Sequence, residues 1–287
     1  MSAPHLIFGC GYLGARVARV WLDAGRRVAA LSRNRGSHLA QSGIEPIRGD
    51  VLDPESLKGL PDAAAVLYAV GFDRTAGKSM REVYVEGLRN ALRAIRCTGP
   101  FLFVSSTSVY GQTDGEWVNE DSPTEPIEES GKIVLEAERT LREFRPDAIV
   151  LRFTGIYGPD RILRRQALLN GEPLVGDAEK WLNLIHVDDG VQAVLAAERN
   201  GKPGETYLVA DGEPVRRRDF YTLAAEVLGA PPARFQFPTQ PIREANRRIA
   251  NDKARRELGF VPLYPSYRKG LPASAAILSV ATRSPCG

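Results

Sequence analysis

The sequence predicts an α/β protein that consists of a doubly wound parallel sheet and a smaller C-terminal α+β lobe. Three observations support this fold class: apolar runs alternate with helical patterns in the first half of the chain, a glycine-rich turn joins the first run to the first helix, and glycine and proline interrupt the chain after about residue 155. With 287 residues, 43% of them hydrophobic, the chain can bury a large core around such a sheet.

The first half alternates short apolar runs with amphipathic segments. The apolar runs predict strands at residues 6–8, 27–31, 64–70, 101–105 and 148–153. Apolar side chains three and four residues apart predict helices at residues 15–22, 81–96 and 133–142. Because strands that alternate with helices pair in parallel, we expect helices on both faces of one sheet and ligands at the carboxyl ends of its strands.

The second half predicts shorter elements around a separate core. We expect residues 1–155 to form the sheet domain and residues 156–271 to form mainly the smaller lobe. Residues 181–186 and 206–210 have strand patterns and are expected to return to the edge of the large sheet. Residues 272–287 are expected to form a packed or loose tail.

The turn between the first strand and the first helix has the sequence Gly9-Cys10-Gly11-Tyr12-Leu13-Gly14. Gly9 permits a sharp turn, Gly11 lets bare backbone approach a pyrophosphate, and Gly14 lets the helix pack closely on the strand. The N-terminus of the helix presents free N–H groups that favour phosphates. This context predicts a Rossmann-type fold that binds a dinucleotide.

The residues after the second strand indicate which nicotinamide cofactor is bound. An acidic residue about twenty positions after the glycine turn would bind the ribose 2′-hydroxyl of NAD, but the chain has Ser32-Arg33-Asn34-Arg35 there. Guanidinium groups match a 2′-phosphate in charge and in geometry. The sequence therefore favours NADP, with NAD as the alternative. Asp50, in the segment Gly49-Asp50-Val51 that is expected to close a strand following residues 27–31, could accept a hydrogen bond from the adenine amino group or could cap a turn.

Composition and charge argue against several classes of protein. The formal charge is only +3 and the basic residues are spread along the chain, so we expect no nucleic-acid surface. Three cysteines at unrelated spacings argue against a disulfide framework, and three histidines show no metal-ligand spacing. The first residues do not resemble a signal peptide, and the apolar segment at 271–282 is shorter than the roughly 20 residues that span a bilayer. We therefore expect a cytoplasmic protein that does not bind membranes.

Several motifs in order resemble the extended short-chain dehydrogenase/reductase superfamily, in the branch of the NAD-dependent epimerases and dehydratases. The resemblance covers the chain to about Leu271. It rests on residues 9–14, 49–53, 104–111, 120–123, 151–159, 185–189 and 253–259. One departure concerns the glycine turn, because the family usually has glycines three apart and Phe8 occupies the position of the first. The chain therefore resembles an atypical member.

A second departure concerns the catalytic residues that the resemblance implies. The family uses a Tyr-x-x-x-Lys pair on a helix, whereas the aligned positions here hold Ser130 and Val134, and no tyrosine in the chain is followed four residues later by lysine. Lys132 cannot replace that lysine, since it lies about 200° around the helix from Val134. Ser106 matches the family serine that hydrogen-bonds the reacting carbonyl. Tyr110 and Ser130 are further catalytic candidates, although Tyr110 could equally be a packing residue.

The remaining site residues follow from the turn, the strand ends and the resemblance. We expect the cofactor to contact Gly9, Cys10, Gly11, Tyr12, Leu13, Gly14, Ser32, Arg33, Asn34, Arg35, Asp50, Val51, Ala69, Val70, Gly71, Ser105 and Phe153. We expect Arg152, Tyr157 and His186 to face the substrate, although a histidine at such a position is more often a satisfied core residue. Asp188 or Asp189 is expected to cap the helix that follows. No metal site is expected.

These expectations leave two functions open. The first is an atypical oxidoreductase or epimerase-like enzyme that transfers a hydride between NADP and a small carbonyl substrate, with Ser106 polarising the carbonyl oxygen. The second is a non-catalytic NADP-binding sensor or regulatory protein, because a fold alone does not establish an activity. The expected partner is a small molecule whose identity the sequence does not indicate. A homodimer is possible.

Overall fold

The computed structural model describes residues 2–239 and 244–281 of the chain. The elements of the first half are β1 (His5–Phe8), α1 (Gly14–Asp23), β2 (Val28–Ser32), α2 (Gly36–Gln41), β3 (Glu45–Arg48), β4 (Ala65–Tyr68), α3 (Gly87–Ala94), β5 (Phe101–Ser106), β6 (Trp117–Val118), α4 (Glu129–Phe144) and β7 (Ile149–Phe153). The elements that follow are β8 (Gly155–Tyr157), α5 (Arg165–Leu169), β9 (Leu174–Val175), β10 (Trp181–Leu182), β11 (Leu184–His186), α6 (Val187–Asn200), β12 (Thr206–Val209), β13 (Val215–Arg216), α7 (Arg217–Leu228), β14 (Phe235–Gln236), β15 (Arg248–Ile249), α8 (Asp252–Leu258) and α9 (Tyr267–Ala281).

A seven-stranded sheet forms the centre of the molecule, in the order β3-β2-β1-β4-β5-β7-β12. Every neighbouring pair in it is parallel. The strand order reverses between β1 and β4, and in such sheets ligands bind in the crevice outside the carboxyl ends at that point. The predicted Rossmann-type doubly wound sheet is therefore confirmed.

The apolar runs of the sequence form strands because both faces of this sheet are covered. In β1, Leu6 and Phe8 join the core that α3 and α4 cover, whereas Ile7 joins the core that α1 and α6 cover. Successive side chains of a strand point to opposite faces, so a strand buried on both sides must be apolar throughout. All three side chains are fully buried.

Helix α1 follows the spacing that the sequence indicates. Val17, Ala18 and Trp21 form one buried stripe at intervals of one and three residues, and this stripe packs on the sheet. The indole nitrogen of Trp21 donates to Glu198 on α6 at 2.8 Å. This bond satisfies the one polar atom of the buried indole.

The predicted helix at 81–96 contains an irregularity that its apolar spacing does not reveal. Residues Glu82–Glu86 form a π-helical turn that leads into α3. A Cβ on Gly87, directly after this turn, would lie 2.8 Å from Cγ2 of Val51. The turn lies beside the sheet edge where ligands are expected, and π-turns often occur at functional sites.

One of the two predicted returns to the large sheet is confirmed and the other is wrong. β12 pairs with β7 at the edge of the sheet, as expected. Residues 181–186 instead divide into β10, which pairs with β13, and β11, which pairs with β8. Asn183 separates them, because its side chain bonds the backbone of Arg247 and Ile249 at 2.8 and 2.7 Å. The place beside β7 at this end of the sheet is taken by β12.

The smaller lobe has its own core, which includes Tyr157, Leu174, Phe220 and Leu271. Helices α6 and α8 lie between lobe segments in the sequence but pack on the large sheet, so the chain crosses the boundary between the two bodies repeatedly. Helix α9 runs through the expected lobe boundary at 271, and residues 272–281 continue this helix. Residues 282–287 lie outside the described residues. Over the described ranges, no helix is long and apolar enough to cross a membrane.

Candidate functional site

A cleft of about 860 Å³ lies at the carboxyl ends of β1, β2, β4, β5 and β7. Its walls contain the glycine turn at one end of the sheet and the serines of β5 and α4 at the other. All of the residues expected to contact the cofactor line this one space: Gly9, Cys10, Gly11, Tyr12, Leu13, Gly14, Ser32, Arg33, Asn34, Arg35, Asp50, Val51, Ala69, Val70, Gly71, Ser105 and Phe153.

The three glycines of the turn have three different surroundings. Gly9 has φ +88°, and a Cβ there would overlap the backbone of Ala69. A Cβ on Gly14 would lie 2.5 Å from the carbonyl oxygen of Gly9, so only glycine lets α1 pack this closely. Around Gly11, in contrast, a Cβ would meet nothing within 4 Å. Bare backbone at Gly11 therefore faces open cleft, as a site for a pyrophosphate requires.

The segment after β2 forms the end of the cleft where the adenosine was expected. The hydroxyl of Ser32 accepts a hydrogen bond from the backbone N–H of Arg35 at 2.9 Å, which shapes this turn. Arg33 and Arg35 are exposed along the cleft wall. An adjoining pocket of about 420 Å³ contains Arg33 and Arg48. This end of the cleft is therefore cationic and open to solvent.

Cys10 and Asp50 have structural roles inside the cleft wall. Burial raises the pKa of the Cys10 thiol to about 11, against the smaller opposing effect of the Arg35 charge, so the thiol stays protonated at neutral pH. The Asp50 carboxylate accepts from the backbone N–H of Leu52 at 2.9 Å. Of the two roles that the sequence left open for Asp50, the structure shows the turn cap.

The opposite end of the cleft contains Ser106, Ser130 and Val134. The Ser106 hydroxyl oxygen accepts from the backbone N–H of Ser108 at 3.1 Å, which leaves its own proton free to be donated. Ser130 and Val134 are four residues apart on α4 and both face the cleft. Lys132 lies on the other side of the helix, 58% exposed, at 3.5 Å from Glu129. Ser130 and Val134 therefore face the cleft, and the position where the family has a lysine holds the apolar side chain of Val134.

The structure corrects the expected roles of Tyr110 and Arg152. Neither side chain lines the cleft, and both are buried. The Arg152 guanidinium donates to Tyr110 at 2.6 Å and to both carboxylate oxygens of Glu138, while Ser105 donates to Glu138 at 2.5 Å. Burial acts to lower the pKa of Arg152, but the bonds to and the charge of Glu138 outweigh it and the net shift is upward. The Arg152 side chain is thus bound to partners within the core and does not face a ligand.

Tyr157 and His186 are likewise core residues rather than substrate contacts. Their rings meet edge to face with centroids 5.4 Å apart. Nδ1 of His186 accepts from the backbone N–H of Asp188 at 3.3 Å, and Nε2 lies 3.2 Å from the Ser274 hydroxyl on α9. Burial lowers the pKa of His186, consistent with a neutral ring whose proton is on Nε2.

The cap of α6 also differs from expectation. His186, not Asp188 or Asp189, is the capping side chain. Asp189 instead accepts from the backbone N–H groups of Leu263 and Tyr264 at 2.5 and 2.9 Å. It therefore fastens the loop before α9 to the start of α6, a long-range contact that no local sequence signal reveals.

Several cleft residues were absent from the expected set, and Lys78, Tyr84 and Arg161 are among them. Tyr84 lies in the π-helical turn, and its hydroxyl oxygen accepts from the backbone N–H of Phe72 at 3.2 Å. Arg161 comes from the lobe, three residues after Gly158. Sequence spacing indicates none of them, because each reaches the cleft from a loop or an irregular turn. Among the described residues no His, Cys, Asp and Glu side chains are grouped to hold a metal ion.

The sequence model of the NAD dependent epimerase/dehydratase family matches residues 6–210. Protein YeeZ of Escherichia coli (strain K12) is 28% identical over 274 residues, covering 90% of this chain and 95% of that protein. A 3-diazoavenalumate denitrifying reductase of Streptomyces sp is 28% identical over 301 residues, covering 92% and 96%.

A solved structure resembles the whole chain in fold. It is that of a functionally unknown conserved protein from Silicibacter pomeroyi, with a TM-score of 0.78 and 29% identity. The match covers 96% of this chain and 99% of that one. The resemblance therefore includes the smaller lobe as well as the sheet domain.

Proposed function

Because the chain belongs to the NAD dependent epimerase/dehydratase family, we propose that it is an NADP-dependent oxidoreductase that reduces a small carbonyl substrate. One observation carries the proposal: a single cleft contains the glycine turn, the cationic segment after β2 and the Ser106 hydroxyl. A cofactor and a substrate bound together in this cleft can therefore contact all three groups at once.

The residues present fit a nicotinamide dinucleotide. The open backbone at Gly11 and the N-terminus of α1 suit the pyrophosphate, since the first N–H groups of a helix have no partner within it. Arg33 and Arg35 suit a 2′-phosphate. The hydrogen bonds from Thr75 lower the pKa of the Asp73 carboxyl, and the nearby charge of Arg33 adds a smaller effect in the same direction. Two exposed cations beside the ribose site support NADP over NAD.

Ser106 is proposed to hold the substrate carbonyl. A bound reduced nicotinamide supplies the hydride. The Ser106 oxygen already accepts the Ser108 N–H, so its hydroxyl proton is directed to another acceptor, and a carbonyl oxygen in the cleft would be one. The Ser130 hydroxyl lines the same wall and donates to Glu128 at 3.4 Å, and giving up that long bond would let it donate to the substrate oxygen instead.

Tyr84 is proposed to supply the proton that the alkoxide needs. Its phenol oxygen accepts the Phe72 N–H, so the phenol proton is free for a substrate oxygen. Burial raises the pKa of Tyr84, and the Phe72 N–H opposes part of that rise. Since Val134 replaces the ammonium group that would favour the phenolate, proton transfer is expected to be slower than in relatives that have a Tyr-x-x-x-Lys pair.

A second candidate function is a non-catalytic NADP sensor. The observation that favours it is the apolar surroundings of Val134, which packs in a buried cluster with Tyr110, Leu135 and Leu208. The charged group that touches this cluster, Arg152, donates to Tyr110 and is paired with Glu138. Such a site binds a cofactor without assisting proton transfer, and a change in lobe position on binding would be its output.

The test separates binding from turnover. NADPH and NADH are titrated by nucleotide fluorescence, and NADPH oxidation is then followed with a panel of small aldehydes and ketones. We expect tighter binding of NADPH and oxidation with at least one carbonyl, which Ser106→Ala reduces about 10²-fold. Ser42→Ala, an exposed serine outside the cleft, is the matched control. Tight NADPH binding without any oxidation would favour the sensor, and absence of binding would overturn both functions.

A further inference from the structure

Tyr12 connects the glycine turn to the smaller lobe. Its side chain leaves the turn between Gly11 and Gly14, and its hydroxyl donates to the carbonyl oxygen of Pro159 at 2.7 Å. Two guanidinium groups lie near its ring, with the Cζ of Arg16 at 4.2 Å and that of Arg161 at 5.3 Å from the centroid. A residue of the phosphate turn is thus in contact with a lobe segment and with the arginine that this segment carries.

The backbone of that lobe segment is closely constrained. Gly158 and Arg161 form a two-bond bridge, with N–H to carbonyl distances of 3.3 and 3.0 Å. Asp160, between them, has φ +64°, a conformation that a non-glycine residue adopts rarely. A Cβ on Gly158 would lie 2.7 Å from the Tyr12 hydroxyl, so the segment passes tightly against Tyr12. These contacts fix the backbone position of Arg161.

The two arginines near Tyr12 differ in whether their guanidinium groups can bind a ligand in the cleft. Arg16 donates to the carbonyl oxygen of Tyr12 at 2.8 Å and does not line the cleft. Arg161 is exposed, lines the cleft together with the glycine turn, and forms no ion pair with a carboxylate of residues 2–239 or 244–281. Because a guanidinium near an aromatic ring keeps its N–H edge available, Arg161 can bind an anion in the cleft.

We infer that Arg161 is a clamp on the diphosphate of the bound cofactor, delivered by the smaller lobe and positioned by Tyr12. The inference rests on the proposed cofactor binding and adds a residue from outside the sheet domain to it. The α1 N-terminus and the Gly11 backbone contact the diphosphate from the sheet side, and Arg161 contacts it from the lobe side with paired N–H groups.

Two cofactor fragments test this inference independently of any substrate. ADP-ribose has the diphosphate and lacks a 2′-phosphate, whereas adenosine 2′,5′-bisphosphate has the 2′-phosphate and lacks the diphosphate. We expect Arg161→Ala to weaken NADPH and ADP-ribose about 10- to 100-fold and to leave adenosine 2′,5′-bisphosphate within about twofold. Arg161→Lys should restore only part of the loss, since it keeps the charge and loses the paired geometry. Isothermal titration calorimetry measures all three dissociation constants.

Arg165→Ala is the matched control, because Arg165 is an exposed arginine four residues later that does not line the cleft. Its affinities should equal those of the unmodified protein, and thermal unfolding of both alanine variants checks that they fold. Unchanged ADP-ribose affinity in Arg161→Ala, or an equal loss for both fragments, would overturn the clamp alone. Failure of the unmodified protein to bind NADPH, NADH or either fragment would overturn the proposed function and the clamp with it.

Discussion

Arg152 and Glu138 form a buried, two-pronged ion pair that joins β7 to α4. The Nε–Oε1 and Nη2–Oε2 distances are 2.9 and 2.7 Å, and the two side chains are only 9% and 7% exposed. Tyr110 accepts a third N–H of the Arg152 guanidinium, and Ser105 donates to Oε1 of Glu138. The pair lies directly behind the cleft wall, where Ser105 and Ala137 line the cleft, so it supports the wall without touching a ligand.

The first prediction concerns the stability of this pair. Glu138→Leu leaves the Arg152 charge buried without a partner and should lower the free energy of unfolding by about 3–5 kcal/mol. The double variant Glu138→Leu/Arg152→Met removes both charges and should recover most of that loss. Urea unfolding followed by circular dichroism measures both. A single variant as stable as the unmodified protein would show that the pair does not hold this part of the core.

The second prediction concerns cofactor preference. Arg33→Ala removes an exposed cation from the ribose end of the cleft and should weaken NADPH binding about 10- to 100-fold while NADH changes less than about twofold. Arg19→Ala, an exposed arginine paired with Asp23 on α1, is the control and should change neither. Fluorescence titration gives the dissociation constants. An unchanged ratio of NADPH to NADH affinity in Arg33→Ala would remove Arg33 from the 2′-phosphate site.

The third prediction concerns proton transfer. Tyr84→Phe should lower the rate of carbonyl reduction about 10²-fold or more and leave NADPH affinity nearly unchanged. Because burial raises the pKa of Tyr84, the phenol stays protonated through the neutral range, and the rate should fall only at strongly alkaline pH. The variant should lose this alkaline decline. Tyr221→Phe, in the lobe core, should keep the full pH profile. Equal profiles for Tyr84→Phe and the unmodified protein would exclude Tyr84 as the acid.

The fourth prediction concerns Asp211, a buried carboxyl with one unsatisfied oxygen. Oδ1 accepts from the backbone N–H of Glu213 at 3.0 Å, whereas Oδ2 is buried without a hydrogen bond. Burial raises the pKa of Asp211 well above its ordinary value of 3.8. The folded state therefore binds this proton more tightly than the unfolded chain, and stability is lost as pH rises from that ordinary value toward the raised one.

Asp211→Asn keeps the acceptor for Glu213 and removes the ionisation. It should raise the free energy of unfolding at pH 7 by about 1 kcal/mol or more, and the gain should shrink as the pH falls toward 3.8. Asp62→Asn, at an exposed position, should have little effect at either pH. Thermal unfolding across this pH range makes the comparison. A gain that is independent of pH would show that Asp211 does not titrate as its burial implies.

The sequence by itself determined the features that depend on neighbouring residues. Apolar runs with intervening helical spacing were enough for β1, β2, β4, β5 and β7 and for α1, α3 and α4, although not for α2 and β3. The positions of Gly9, Gly11 and Gly14 were enough for the turn that faces the cleft. Such features are local, because side-chain periodicity and glycine geometry act within a few residues. The two-residue offset of Lys132 from Val134 likewise placed it on the outer face of α4, where the structure has it.

Only the tertiary structure decided which polar side chain at a strand end faces the cleft and which faces the core. Ser106 and Phe153 line the cleft. Arg152, next to Phe153 on β7, instead points into the core and pairs with Glu138 on α4. The sequence could not separate these outcomes, because each depends on a partner supplied by another element. The same reason applies to Arg161 and Tyr84, which reach the cleft through contacts with Tyr12 and with the backbone of Phe72. Local periodicity places residues on elements, and long-range packing determines their partners.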